Sequence, residues 1–381
     1  MHTNAPTPRD GTLQSGRSLE ELKLELLRRV RAQLMPIAGV TEEDARAVID
    51  SMQTLDRDQW ATAWSARAEL HRQAADAEMD RRTAREDWWQ AWRLYHFARW
   101  PVENTSFKRH CYTQALAAYS RHAALLDPPV IPVDIPFSGS VAKAWLRLPT
   151  VTPAPLVIGI SGLDSRKEDV MTLSDAYLRR GMALLAIDMP GTGEAPVALS
   201  ENAHLLFSAV LDWVATREDL DAQRVVVQGR SWSGYWAALL AATEKERLRG
   251  CVMHGGPIHH YFQPEWLSPS LASPEYLYDY LPATAALFGV TQLDDLLAEA
   301  PRWSLQTRGL LDQPSAPMLL VNGARDTQIP IADVEWLAAR NPRDTVWINP
   351  EGGHMGRSAN WPGKRIFNEI IAPWIEDRLR A

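Results

Sequence analysis

The sequence predicts an α/β architecture: a mostly parallel, doubly wound sheet, preceded by an all-helical domain and interrupted by a short helical cap insertion. Three observations carry this reading. Segments such as Leu156–Ile160 and Met318–Val321 are apolar throughout, as strands covered on both faces must be. Residues 18 to about 126 show helical periodicity with no alternating stretch. Between residues 225 and 240, three valines run into a glycine, a serine and then an Ala/Leu-rich stretch, the pattern of a strand, a sharp turn and a helix.

At 381 residues the chain exceeds the usual size of one domain. We divide it into a disordered tail at 1–17, rich in Thr, Pro and Gly, a helical domain at 18–127 and an α/β domain at 128–381. Composition is 46% hydrophobic with a formal charge of −7, which gives no reason to expect nucleic acid as a partner. No apolar run is long enough to span a bilayer, so no membrane is expected. The N-terminus lacks the charged and apolar regions of a signal peptide. Cys111 and Cys251 form no disulfide framework, and a cytoplasmic location follows as the default.

In the helical domain, Ser18-Leu19-Glu20-Glu21 matches a capping box, and Leu19, Leu22, Leu26 and Val30 recur on one face. Pro36 and Gly39 stop this helix, and Thr41 caps the next. A third helix carries Trp60 and Trp64, a fourth carries Trp88, Trp92 and Tyr95 up to Pro101, and a fifth spans Phe107 to Leu126. The aromatic stripes read as packing. They are too many for a small bundle to hide, so some are expected to face outward and cover the second domain or a second subunit.

Pro128-Pro129 marks the domain boundary. Residues 130–137 and 142–148 alternate around Ser138-Gly139 as a hairpin. Leu156–Ile160 is the first central strand, and residues 181–187 give the next. Asp188-Met189-Pro190-Gly191-Thr192-Gly193 reads as a glycine-permitted turn. It lacks the Lys-Ser/Thr of a phosphate-binding loop, and no cofactor is implied. Residues of about 260–312 read as short helices with proline breaks, the cap insertion.

Ser231 lies in Gly229-Arg230-Ser231-Trp232-Ser233-Gly234, which resembles the nucleophile elbow of α/β-hydrolases. Gly229 stands where the Gly-x-Ser-x-Gly pattern asks. Ser233 replaces the second glycine, and slightly looser packing is expected there. Downstream, Asp326 follows an apolar strand, and His354 follows a further strand at Thr345–Ile348. The order Ser, Asp, His is that of α/β-hydrolases, and each residue just after a strand should meet the others at the sheet's carboxyl edge. His354 would take the Ser231 proton, and Asp326 would fix the imidazole. The loop after Leu156–Ile160 would supply the Gly162 or Leu163 N–H, which with that of Trp232 would form an oxyanion hole. His254, His259 and His260 invite a metal reading. No carboxylate or cysteine completes a ligand set, and side chains of adjacent residues such as His259 and His260 point apart in most backbones, so we expect no metal and read a pocket wall.

The helical domain, Gly162-Leu163-Asp164-Ser165-Arg166-Lys167-Glu168, Gly229-Arg230-Ser231 and Gly255-Gly256-Pro257-Ile258-His259-His260 together resemble one branch of the α/β-hydrolase superfamily. That branch holds the fermentation–respiration-switch esterases, 2,6-dihydroxypseudooxynicotine hydrolase and the fungal yellowish-green polyketide-shortening hydrolases. The resemblance implies a homodimer, helices roofing the active site, a small-molecule acyl substrate and cleavage of an ester or of a carbon–carbon bond next to a carbonyl. It also implies a glutamate in the pocket, for which Glu265 is the nearest candidate; a surface glutamate is an equally good reading. Two other classes stay open. An acyltransferase or cyclase acting on a polyketide-type chain would use the same triad. A non-catalytic binding protein would have no need of three matched groups.

Overall fold

The computed structural model describes residues 16–311 and 313–380. The chain divides into two compact units. The first holds the chain up to Pro129 together with Tyr276–Ala283, and the second holds Val130–Glu275 and the residues from Thr284 onward.

The first unit contains α1 (Leu19–Arg31), α2 (Glu42–Ser51), α3 (Arg57–Ala77), α4 (Arg81–Ala98) and α5 (Ser106–Ala124). Each begins on Ser, Thr or Asp whose side-chain oxygen accepts a first-turn N–H: Ser18, Thr41, Asp56, Asp80 and Thr105. These groups would otherwise lack partners, which is why the helices start where they do. The expected capping box at Ser18 is complete, with Glu21 Oε2 accepting the Ser18 N–H at 2.8 Å. Most of the expected disordered tail lies outside the described residues. Arg17, placed in that tail, instead donates to the carbonyls of Tyr276 and Leu277 at 3.0 and 2.7 Å.

The aromatic stripes are buried, in part by a segment of the region read as the cap insertion, as expected of stripes too large for the bundle alone. Trp60, Trp64, Trp92, Phe97 and Trp100 are all at most 4% exposed. The reason lies in a segment from far along the chain. Tyr276 stacks on Trp100 with ring centres 5.2 Å apart, and Tyr278 meets Trp60 edge-on at 5.4 Å. Asp279, its side chain fully buried, pairs with Arg57 through both carboxylate oxygens.

The second unit runs β1 (Ile131–Phe137), β2 (Ser140–Arg147), β3 (Ala154–Ile160), α6 (Lys167–Met171), α7 (Ser174–Leu178), β4 (Ala183–Ile187), α8 (Leu205–Ala215), β5 (Leu220–Arg230), α9 (Gly234–Thr243) and β6 (Gly250–His254). The cap insertion follows as α10 (Pro264–Ser270), α11 (Tyr280–Leu287) and α12 (Leu293–Glu299). The first turn of α11 belongs with the helical unit. Then come β7 (Met318–Gly323), α13 (Ile331–Ala338), β8 (Thr345–Asn349), α14 (Gly363–Ile366) and α15 (Ala372–Arg380).

The eight strands order as β1-β2-β4-β3-β5-β6-β7-β8. β1 and β2 form the expected antiparallel hairpin, β2 pairs antiparallel with β4, and every other pairing is parallel. From β3 the chain steps outward to β4, then returns to place β5 on the other side of β3. Strand order therefore reverses at β3/β5, and such switch points open a crevice at the carboxyl edge. The register pairs Ile160 with Gly229, so the loops that follow β3 and β5 leave the sheet side by side. β6, β7 and β8 run parallel to β5, and their following loops emerge at the same edge.

Candidate active site

The elbow at the end of β5 is held by contacts that leave little choice of residue. Ser231 adopts φ +54°, a left-handed conformation that L-residues rarely enter. A Cβ at Gly229 would lie 2.1 Å from the Ser233 carbonyl oxygen, so no larger residue fits there. Gly234 and Gly256 pack backbone to backbone; a Cβ on Gly234 would sit 2.6 Å from Gly256 Cα. Ser233 does not loosen the turn as expected. Its Oγ accepts the Arg230 N–H at 2.7 Å and lies 2.9 Å from two carbonyl oxygens, that of Arg230 and that of Ile160, the last residue of β3. The hydroxyl thus stitches the elbow to the neighbouring strand, which a glycine could not do.

Three loops converge on Ser231. Its Oγ lies 2.7 Å from His354 Nε2, and His354 Nδ1 lies 2.8 Å from Asp326 Oδ2. A carboxylate can only accept, so Nδ1 carries the proton and Nε2 is left bare toward the serine hydroxyl. His354 and Asp326 are buried, and Ser231 is half-buried. The second Asp326 oxygen accepts the N–H groups of Gln328 and Ile329 at 2.8 and 3.0 Å. Those bonds lock the carboxylate plane and aim Oδ2 at the imidazole.

Two further residues complete the support: Asn322, which the sequence reading did not single out, and His254, which it weighed as a metal ligand and read as pocket wall. Asn322, at the end of β7, donates to Asp326 Oδ2 at 2.9 Å and accepts the Met355 N–H at 2.9 Å. His254, at the end of β6, lies with Nε2 2.9 Å from the Met355 carbonyl oxygen. Burial pushes His254 down to about 3, so it is a neutral donor there. Met355 holds φ +63° between these two side chains, directly after His354. Neither residue belongs to a local motif. The only hint is that each ends a strand whose following loop reaches the site.

The oxyanion reading needs one correction. The Gly162 N–H donates to Ser165 Oγ at 2.8 Å and is already taken. The loop curls on itself there because Ser165 stands one turn away. A Cβ on Gly162 would sit 3.3 Å from Ser231 Cβ, which puts the loop directly against the elbow. Leu163 and Trp232 carry the N–H groups that remain; that of Trp232 opens a helical turn, where no intrahelical acceptor reaches.

Behind this loop is a buried charge cluster. Lys167 Nζ contacts Asp188 Oδ2 at 3.2 Å, Glu194 Oε2 at 2.7 Å and Glu168 Oε1 at 3.0 Å. Burial opposes the Asp188 charge, but Lys167, Arg166 and two backbone N–H groups outweigh it and hold its carboxyl below the usual range. Burial pushes that of Glu168 up. Asp188 also accepts the Lys167 and Glu194 N–H groups, which supports the reading of the 188–194 loop as structural.

The proposed pocket residues fare less well. The backbone N–H groups of Ile258, His259, His260 and Tyr261 all converge on the buried carboxylate of Asp333 in α13. This irregular turn brings the His259 and His260 rings to 4.8 Å from each other, where they were expected to point apart. His259 Nδ1 lies 2.8 Å from Ser304 Oγ, and neither ring bonds to Ser231, Asp326 or His354. Glu265 is exposed in the first turn of α10 and has no bond to those three residues, which favours the surface reading. Among the described residues, no group of three or more His, Cys, Asp or Glu side chains is placed to hold a metal ion. None of the helices there is long and apolar enough to cross a membrane.

A mostly parallel sheet with a strained serine at its switch point is the architecture of an α/β-hydrolase, and the chain is an enzyme of that class. The comparisons with known proteins narrow this. The model of the family described as "Esterase FrsA-like" matches residues 30–350, and the chain belongs to that family. Esterase FrsA of Vibrio vulnificus (strain YJ016) is 28% identical over 302 residues, covering 76% of this chain and 70% of its own. Esterase FrsA of Yersinia pestis (strain Pestoides F) is 25% identical over 354 residues, covering 89% and 81%. Among solved structures, 2,6-dihydroxy-pseudo-oxynicotine hydrolase superposes with a TM-score of 0.75 at 23% identity, covering 94% of this chain and 95% of its own. AbyA5 gives a TM-score of 0.75 at 25% identity, covering 92% and 93%.

Proposed function

We propose that the protein is a serine hydrolase that cleaves an ester of a small-molecule acyl substrate through an acyl-enzyme on Ser231. The observation that carries this is the unbroken chain from Ser231 Oγ through His354 to Asp326, at 2.7 and 2.8 Å. His354 Nε2 accepts the hydroxyl proton as Oγ attacks the carbonyl carbon. Asp326 steadies the imidazolium that forms. The Leu163 and Trp232 N–H groups receive the oxyanion. Collapse expels the alkoxide, which takes the proton from His354 and leaves as the alcohol. Water then repeats the sequence: it gives a proton to His354, attacks the acyl carbon, and the acid departs as Ser231 recovers its proton.

The curated relatives are named esterases, which supports ester cleavage over carbon–carbon cleavage. The latter would also require protonation of a carbanion leaving group. A homodimer, supported by the family resemblance, and a cytoplasmic location, the default for two cysteines that form no disulfide framework, belong to the same proposal.

Turnover of activated aryl esters together with fluorophosphonate labelling tests this. We expect kcat to fall by about 10³-fold or more in Ser231→Ala and in His354→Ala, with the double variant little worse, because the groups act as a unit. Labelling should vanish in Ser231→Ala. Full activity in that variant would overturn the reading. Ester formation in the presence of an acceptor alcohol, faster than hydrolysis, would point to acyl transfer instead.

A further inference from the structure

Asp326 and His354 sit on loops from different strands, β7 and β8, which Asn322 and the Arg325 N–H, bonded to the Gly352 carbonyl at 2.9 Å, join at the level of the sheet. A second side chain spans them further from the sheet. Glu275 Oε1 accepts the backbone N–H of His354 at 2.9 Å. Its Oε2 accepts the backbone N–H of Thr327, the residue after Asp326, at 2.9 Å, and the Thr327 hydroxyl at 2.7 Å.

We propose that Glu275 is a positioning residue for catalysis, setting the spacing of the Asp326 and His354 loops with the two oxygens of one carboxylate; this rests on the hydrolase reading above. Hydrogen bonds to an ionised acceptor are shorter and about twice as strong as neutral ones, which suits a carboxylate to the task. The surroundings are shaped to it. A Cβ on Gly353 would lie 2.0 Å from Glu275 Oε1, so only glycine lets the carboxylate reach the His354 N–H. Ser273 holds the clamp from behind: its Oγ accepts the Glu275 N–H at 3.2 Å and bonds Thr327 Oγ1 at 2.6 Å. Because Thr327 gives its hydroxyl proton to Glu275, the Ser273 hydroxyl must be the donor in that last bond. Glu275, Ser273 and Thr327 thus form a closed ring of bonds around the back of the acid–base pair.

The position has a further consequence. Glu275 is the last residue before Tyr276–Ala283, the segment that belongs to the helical unit. The clamp therefore stands on the strand of chain that leaves the α/β unit, and not on the sheet that carries the triad.

The test uses the full chain, a small activated ester and a fluorophosphonate probe. In Glu275→Gln one oxygen remains, and the amide nitrogen opposes an N–H donor, so this outer link between the two loops is broken while Asn322 keeps the inner one. A displacement of about 1 Å near the chemistry costs up to about 100-fold. We expect kcat to fall about 10- to 100-fold, KM to change less than about threefold, and labelling of Ser231 to slow in parallel with kcat. If Glu275→Gln is poorly folded, Ser273→Ala keeps the carboxylate and removes its support; there we expect a smaller loss, about three- to tenfold, again in kcat. A lowered Tm with unchanged kcat and labelling rate in either folded variant would make Glu275 a structural tether only and overturn the proposal. That outcome, with Ser231→Ala still inactive, would leave the hydrolase reading standing. An active Ser231→Ala would remove both.

Discussion

Asn322 Nδ2 donates to Asp326 Oδ2 at 2.9 Å, the same oxygen that receives His354 Nδ1. The amide's other end takes the N–H of Met355, next to His354, at 2.9 Å. A single side chain thus holds the acid and the base loop together at the level of the sheet, as Glu275 does further out. Asn322→Ala should lower kcat by about tenfold. Asn322→Asp, closer in shape, should be worse, because it sets a second acceptor against Asp326 Oδ2 and one of the two carboxyls must take up a proton. Ester turnover and Tm for the two variants check this. An Asp variant with wild-type kcat would show that the amide contributes nothing to the orientation of Asp326.

Ser233 supports a prediction that runs against the motif. Ser233→Gly would restore the Gly-x-Ser-x-Gly pattern, yet it removes the acceptor for Arg230 N–H and the partner of the Ile160 carbonyl, both deep in the elbow. An unmet buried polar group costs about 1–3 kcal/mol. We expect Tm to fall by about 2–8 °C in Ser233→Gly and in Ser233→Ala alike. An unchanged or raised Tm in the glycine variant would show that the stitch carries no stability.

How much of this was legible in the sequence depends on whether the information is local. The helix starts were, because a cap such as Ser18 or Thr41 acts within one turn. The order Ser231, Asp326, His354 was, because strand ends in a parallel sheet map onto one edge. Asn322 and Glu275 were not. Each matters through partners 4 to 79 residues away along the chain, and nothing in its own neighbourhood marks it. Ser233 was visible only as a departure from a pattern; that the departure adds bonds needed the Ile160 carbonyl in place. The same holds for Tyr276–Ala283. Its short helices and proline breaks suggested a cap insertion, and only the fold shows that its aromatic residues complete the core of the helical unit.

The helical unit has its own pH dependence. His71 bonds to Asp44 at 3.0 Å and Asp87 at 2.9 Å. Its pKa is raised, chiefly by the bond to Asp44, with burial opposing and Asp87 adding. Burial also opposes the Asp44 charge, but His71, Thr41 and Arg67 outweigh it and bring that carboxyl down to about 2. The signs follow. A raised histidine stabilises fully below its unfolded value of about 6.5 and loses that contribution as pH rises through the folded value. A depressed aspartate stabilises above about 3.9 and loses its contribution as pH falls toward 2. The pair is therefore strongest between about pH 4 and 6.5. His71→Gln should lower the Tm followed by tryptophan fluorescence by about 2–4 °C at about pH 5.5, and by less than half of that at about pH 9. A difference that does not vary with pH would show that the histidine charge is not involved.

The dependence of the α/β unit on the helices follows from what residues 276–283 lose without them. Tyr276, Leu277 and Tyr278 are buried, with Tyr278 set against Trp60 and Trp100 at ring distances of 5.4 and 4.7 Å. Asp279 has Arg57 as its bidentate cation and none of its side chain exposed. A chain of residues 128–381 keeps Ser231, Asp326 and His354 but leaves these side chains without partners, next to Glu275. We expect that fragment to aggregate or to lose ester turnover, read by size-exclusion chromatography and kcat. The full chain separates the charge from the aromatic packing. Arg57→Met strands a buried carboxylate, which costs about 3–5 kcal/mol. Adding Asp279→Asn removes the charge and should recover more than half of that loss. Asparagine tolerates the left-handed backbone, φ +60°, found at this position. If the double variant is no more stable than Arg57→Met, the ion pair is not what anchors the segment. If residues 128–381 alone are soluble and fully active, the segment needs no anchor at all, because the triad then holds its geometry with Tyr276–Ala283 released into solvent.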